Sequence, residues 1–257
     1  MQLNMRLLLN NHHPARLLLL ILLLAGLVAC STLSGAPANR EGSPEPPAAA
    51  AGEAAGFYWW RARFVTPLAA DEEPRWVSDL MVADLVIEPV IQEYVSSLAL
   101  WRFHRRAVHD DGGHIFSFIF YADRPSAEQV FAAIDQSPAL ARLLKHGLIG
   151  SYDNDLAAEN QNSAPGATSD PNWSKPLREV WPAYIMGASV TWLGLINQHI
   201  DATGAVDRDF SELVADYEKV DAALGEMWHK EGQHAFLHHL NALFGYEPMR
   251  LQIETNF

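Results

Sequence analysis

Along residues 57–65 apolar side chains alternate with arginine, Phe57-Tyr-Trp-Trp-Arg-Ala-Arg-Phe-Val65, the period of a strand with one buried face. From Ser78 to Leu98 the spacing of Val82, Leu85, Val86, Ile91, Tyr94, Val95 and Leu98 predicts a helix, which Pro89 kinks or divides. Trp101–Val108 and His114–Tyr121 alternate again. Asp110-Asp111-Gly112-Gly113 between them accepts the positive φ of a tight hairpin turn. Ser126 stands as an N-cap before a helix to Gln136, and Ser137-Pro138 opens a second helix to His146. Gly147 stops that helix, and Leu148–Tyr152 reads as a last strand. The order β-α-β-β-α-β predicts an α+β domain over 57–153, with a ferredoxin-like sheet carrying its helices on one face.

Residues 154–176 are rich in Asn, Asp, Ser, Pro and Gly and read as a linker loop. A helical region follows over 177–257. Val180–Ile200 is its most apolar stretch, with a buried stripe expected at Trp181, Tyr184, Ile185, Ala188, Trp192, Leu195 and Ile196. Polar Asn197 and His199 mark it as a core helix rather than a membrane span. Ser211–Lys230 and Gln233–Phe244 predict two further helices separated at Gly232. Gly245 ends the second, and Arg250–Phe257 alternates like a terminal strand.

The first 29 residues have the layout of a signal peptide: Arg6 and Arg16, no acidic residue, and an apolar run from Leu17 to Ala29. That run is shorter than the roughly 20 residues a membrane-crossing helix needs. It closes on Leu27-Val28-Ala29-Cys30, which resembles the lipobox of bacterial lipoproteins. The resemblance implies diacylglyceryl attachment at Cys30, cleavage before it and a membrane anchor. Ser31 after the cysteine implies an outer-membrane address facing the periplasm. Cys30 is the single cysteine of the chain, so the folded part has neither a disulfide nor a thiolate to work with. Residues 30–56 are Ala, Pro, Gly, Glu and Ser with little to bury, and predict a disordered tether with a reach of about 25–30 Å.

Eighteen basic residues face 31 acidic ones, for a net charge of −13. Loss of Arg6 and Arg16 with the leader takes it to −15. Such a balance disfavours nucleic acid as a partner.

Two clusters carry candidate chemistry. Glu231, His234 and His238, with Glu226, His229 and His239 nearby, place imidazoles one helical turn apart, the spacing by which two histidines share a transition metal. Arg102, Arg105 and Arg106, interleaved with aromatics and opposite Arg61 and Arg63, predict an anionic-ligand patch or arginines stacked on aromatic rings. Trp173 in the loop is a candidate binding aromatic. Ser189 lies in Gly187-Ala188-Ser189-Val190-Thr191, which lacks the second glycine of a nucleophile elbow, and neither a Walker loop nor a dinucleotide fingerprint is present. The expectation is a lipid-anchored envelope protein that binds a protein or envelope polymer without catalysis. The alternative is a transition-metal-binding or metal-dependent redox protein using the C-terminal His/Glu cluster.

Overall fold

The computed structural model describes residues 56–67, 76–106, 114–158, 161–200, 204–205 and 207–248. The leader, Cys30, the tether up to Ala55, the hairpin turn at Asp110–Gly113 and the alternating segment Arg250–Phe257 lie outside them.

The chain is mixed α+β. Strands β1 (Phe57–Thr66), β2 (Leu100–Arg105), β3 (His114–Asp123) and β4 (Ser151–Asn154) form one antiparallel sheet in the order β2-β3-β1-β4. The two-residue period sends Trp60, Ala62 and Phe64 of β1 to the same face as Phe116, Phe118 and Phe120 of β3, and all six are fully or almost fully buried. Each large side chain so buried contributes about 1.5–3 kcal/mol.

Helix α1 (Val77–Met81) runs through a π-helical stretch, Val82–Ile87, into α2 (Glu88–Tyr94). Pro89 therefore does not divide the helix. It has no N–H to donate and its ring crowds the carbonyl one turn back, and the wider turn before it accommodates both. Residues Val77–Asp84, Val86 and Ile87 are all buried, so Asp79 and Asp84 both lie inside the fold.

Helix α3 (Arg124–Asp135) starts earlier than Ser126, because the N-cap is Asp123, whose carboxylate accepts the Ser126 N–H at 2.8 Å. Pro125 fits the first turn, where no donor is needed. Helix α4 (Pro138–Lys145) has Ser137 as its cap. It ends where Gly147, at φ +71°, lets Leu148 N–H reach Leu143 O at 3.0 Å and its own N–H reach Leu144 O at 3.1 Å. Leu148 and Ile149 are thus drawn into the core, and β4 begins at Ser151 rather than Leu148.

After a 3-10 turn at Pro165–Thr168 come α5 (Lys175–His199) and α6 (Phe210–Met227). Helix α6 continues through a π-helical stretch, Trp228–His238, into α7 (His239–Leu243). Gly232 does not separate two helices. It is buried beneath Trp228, where an added Cβ would stand 2.9 Å from Cε3 of that ring. Leu193 and Ile196 of α5 and Leu213, Tyr217 and Val220 of α6 join the sheet's own hydrophobic core.

Helix α5 also covers the β2 edge of the sheet. Ser189 Oγ accepts the Phe103 N–H at 3.1 Å while its hydroxyl donates to Ile185 O at 2.8 Å. The expected stripe is rotated as a result. Pro182, Ser189, Leu193 and Ile196 are buried, whereas Tyr184 and Ala188 face outward. A helix apolar on every side carries no mark of which face packs. Among the described residues no helix is long and apolar enough to cross a membrane.

Candidate functional site

The sheet face opposite the aromatic core carries the basic residues. Its first row is Leu100, Tyr121 and Trp59, set side by side by the strand register. The loop after β4 seals this end: Trp59 Nε1 donates to Ala164 O and Pro165 O at 3.1 and 3.0 Å, and Tyr121 donates to Ser163 O at 2.6 Å. The second row is Arg102, Ile119 and Arg61, and the third is His104, Ser117 and Arg63. Arg63 is held by Asp153 of β4, Nε to Oδ1 at 2.6 Å.

Arg102 is only 8% exposed. Its guanidinium lies 5.0 Å over the Trp181 ring, and its Nε is buried without a hydrogen-bonding partner among the described residues. Burial, with the nearby charge of Arg61, pushes its pKa down to about 10. The group stays charged at neutral pH, and an ion held out of water without a counter-charge costs on the order of several kcal/mol. His104 is pushed below the usual histidine value by partial burial and by Arg102, Arg61 and Arg106. Arg61 is exposed.

Arg105, expected beside Arg102, points through the sheet to the other side. Strand parity requires this, since adjacent residues face opposite ways. Its Nε lies 2.9 Å from Asp79 Oδ2, an ion pair by distance rather than an aligned hydrogen bond. Its guanidinium is flanked by Trp192 at 4.7 Å and Trp76 at 5.3 Å. The same carboxylate meets His114 Nε2 at 2.9 and 3.0 Å, and both Asp79 and His114 are fully buried. Asp221 of α6, facing this group, has its pKa raised by burial, with Asp79 adding and Arg105 opposing. The His114–Asp79 couple resembles an oriented general base, but the imidazole is fully buried and its Nδ1 has no partner among the described residues. Its chemical effect in this arrangement is to join α1, β2 and β3.

A third group lines a cavity of about 210 Å³ bounded by Asp84, Leu85, Pro89, Arg142, Phe210 and Leu213. Tyr217, fully buried beside it, donates to Asp84 Oδ2. Burial and the Asp84 carboxylate raise the phenol's pKa strongly. Arg142 donates to Ala205 O at 2.8 Å and to Arg208 O.

Glu231, His234 and His238 all lie on the exposed π-helical stretch. The His234 and His238 rings stack at 4.7 Å. Among the described residues no group of three or more His, Cys, Asp or Glu side chains is arranged to hold a metal ion. Arg102 and Arg106 come from the same strand face, and Arg105 does not join them. Trp173 is half-buried, edge-on to Trp181 at 5.5 Å. The Asp79–His114 and Asp84–Tyr217 couples escape sequence reading because their members stand 35 and 133 residues apart. A signal does exist: Ser78, Asp79 and Asp84 are polar positions on a helix otherwise apolar on all sides.

No protein family matches the chain, and comparisons with curated proteins and with solved structures find no match.

Proposed function

We propose that the chain is a lipid-anchored envelope protein, attached through Cys30 to the outer membrane and facing the periplasm, whose α+β domain works by binding a protein partner rather than by catalysis. One observation carries the reading. Helix α5 has no charged residue from Val180 to Gln198, and its outer side exposes Leu177, Val180 and Tyr184, with Val180 62% and Tyr184 52% exposed. A contiguous apolar helix side of this kind gains free energy when covered. Replacing Tyr184 by a photo-crosslinking phenylalanine and solubilising membranes in mild detergent tests it. A discrete adduct with one envelope protein is the expected result. Absence of any adduct, or substrate turnover by the purified chain that is lost on changing one cleft residue, overturns it.

The anchor rests on the lipobox resemblance. Labelling with a palmitate analogue is expected to disappear in Cys30→Ser, together with the membrane fraction. We read the first half of the domain as a ferredoxin-like split β-α-β unit, supported by the antiparallel order β2-β3-β1-β4 with helices crossing on the aromatic face.

A transition-metal site on Glu231, His234 and His238 is a second reading. It is favoured by the 4.7 Å stacking of the two imidazoles. Metal analysis of protein made without a histidine tag separates the two. A stoichiometric metal lost in His234→Ala supports the second reading, and a trace content unchanged by that substitution removes it.

A further inference from the structure

We infer that the basic face of the sheet, opposite the aromatic core, is a binding site for a phosphoryl oxyanion, held between Arg102 and Arg61 with His104 and the Ser117 hydroxyl as further donors. The inference stands apart from the protein-binding surface proposed for α5.

Two observations converge on it. The first is Arg102 itself. Its side chain is more than nine-tenths buried and its guanidinium lies 5.0 Å over the Trp181 ring, but the guanidinium makes no hydrogen bond or ion pair with any described residue. A guanidinium does not escape its charge by losing a proton at physiological pH, so a buried one calls for a negative partner. The second is the register. Arg61 stands across Ile119 from Arg102, exposed and without an ion pair among the described residues. One row further, His104 stands across Ser117 from Arg63, and Arg63 is already committed to Asp153. Arg102 and Arg61 therefore place two guanidinium charges on one face of a chain whose net charge is −13, with the His104 ring beside them and the Asp155 carboxylate held on the Arg61 backbone N–H at 2.8 Å.

The ligand class follows from the spacing. Two strand separations of about 4.8 Å divide the arginine backbones, and both side chains rise from the same side of the sheet. Guanidinium forks match the oxygens of phosphate or carboxylate. A phosphoryl group offers three oxygens to share among two forks, an imidazole and a hydroxyl, where a carboxylate offers two. The loop that binds Trp59 and Tyr121 closes one end of the site. A free phosphate and the headgroup of a phosphate-bearing lipid present the same chemistry.

The test is calorimetric titration of the full chain in mild detergent with inorganic phosphate, with dihexanoylphosphatidate and with dihexanoylphosphatidylcholine, using succinate as the carboxylate control. Saturable one-site binding of phosphate or phosphatidate is expected. It should weaken at least about tenfold in Arg102→Met and in Arg61→Ala, and stay unchanged in Arg124→Ala. Should Arg102→Met fail to fold, the exposed Arg61→Ala carries the comparison. Phosphatidate bound about tenfold tighter than phosphate assigns a lipid headgroup, and equal affinity assigns free phosphate. No saturable binding of either overturns the inference. Arg61→Ala binding as tightly as the unaltered chain, or succinate binding as tightly as phosphate, overturns it as well.

Discussion

His114 Nε2 lies within 3.0 Å of both carboxylate oxygens of Asp79, and neither side chain reaches solvent. With Arg105 on the same carboxylate, Asp79 ties three elements at one point. Asp79→Ala removes the acceptor and leaves two buried donors behind. It is expected to lower the unfolding free energy by about 3–5 kcal/mol, read as a lower urea midpoint at constant slope. Arg105→Gln, whose side chain is one-third exposed, should cost less.

Ser189 Oγ bonds α5 to the edge strand by accepting the Phe103 N–H. Ser189→Ala leaves the Phe103 N–H buried and unbonded, a loss of about 1–3 kcal/mol. Hydrogen exchange at the Phe103 amide should accelerate in this variant and stay unchanged in Thr191→Ala, whose hydroxyl bonds only its own helix.

Tyr217 keeps its proton in the folded chain well above the ordinary tyrosine range, through burial and the Asp84 carboxylate. The unfolded phenol ionises near its usual value of about 10. The folded pKa is raised, so this contribution is complete below pH 10 and is lost as pH rises beyond it. Tyr217→Phe should lower stability at neutral pH by about 1.5–3 kcal/mol and flatten the alkaline decline in thermal midpoint.

His104 behaves with the opposite sign. Its folded pKa is lowered by partial burial and by Arg102, Arg61 and Arg106. Its contribution is present above the unfolded value of about 6.5 and is lost as pH falls through that value towards the folded one. Acidifying from pH 7.5 to about 5.5 should lower the thermal midpoint less in His104→Gln than in the unaltered chain. Saturating phosphate, if bound as inferred, should shrink the difference by favouring the protonated ring.

Val180→Asp and Tyr184→Asp place a charge on the outer side of α5. Stability should change by no more than about 0.5 kcal/mol, because both positions are solvent-exposed. Co-purification of the partner should be lost in both.

Alternation was enough to find β1 and the paired strands β2 and β3, since each has one aromatic face and one polar face. The caps of α3 and α4 are half legible: Ser137 caps α4 as its sequence context suggests, while the Asp123 cap of α3 stands three residues ahead of the Ser126 that the pattern points to. The facing of α5 was hidden because its apolar residues surround the axis, so only contact with β2 selects the buried side. The π-helical stretch before Pro89 was hidden too, since no repeat in the residue types announces a turn wider by one residue. Of the basic cluster, composition revealed the residues but strand parity decides the membership, separating Arg105 from Arg102 and bringing Arg61 to it. For the couples Asp79–His114 and Asp84–Tyr217 the sequence marks only the helix partners, as polar residues in an apolar stretch, while the pairing depends on tertiary contact.

The hydrogen bond from β2 to Ser189 also restricts how this sheet can grow. On that side the next place in the ladder is taken by a helix of the same chain, and a peptide arriving in extended form would have to displace α5 to pair there. The opposite margin, β4, has four residues and carries Asp153, too short and too acidic a template for a long added strand. Recognition by strand addition is therefore disfavoured at both margins, which leaves side-chain chemistry on the basic face and the helix exteriors as the routes by which this domain meets other molecules.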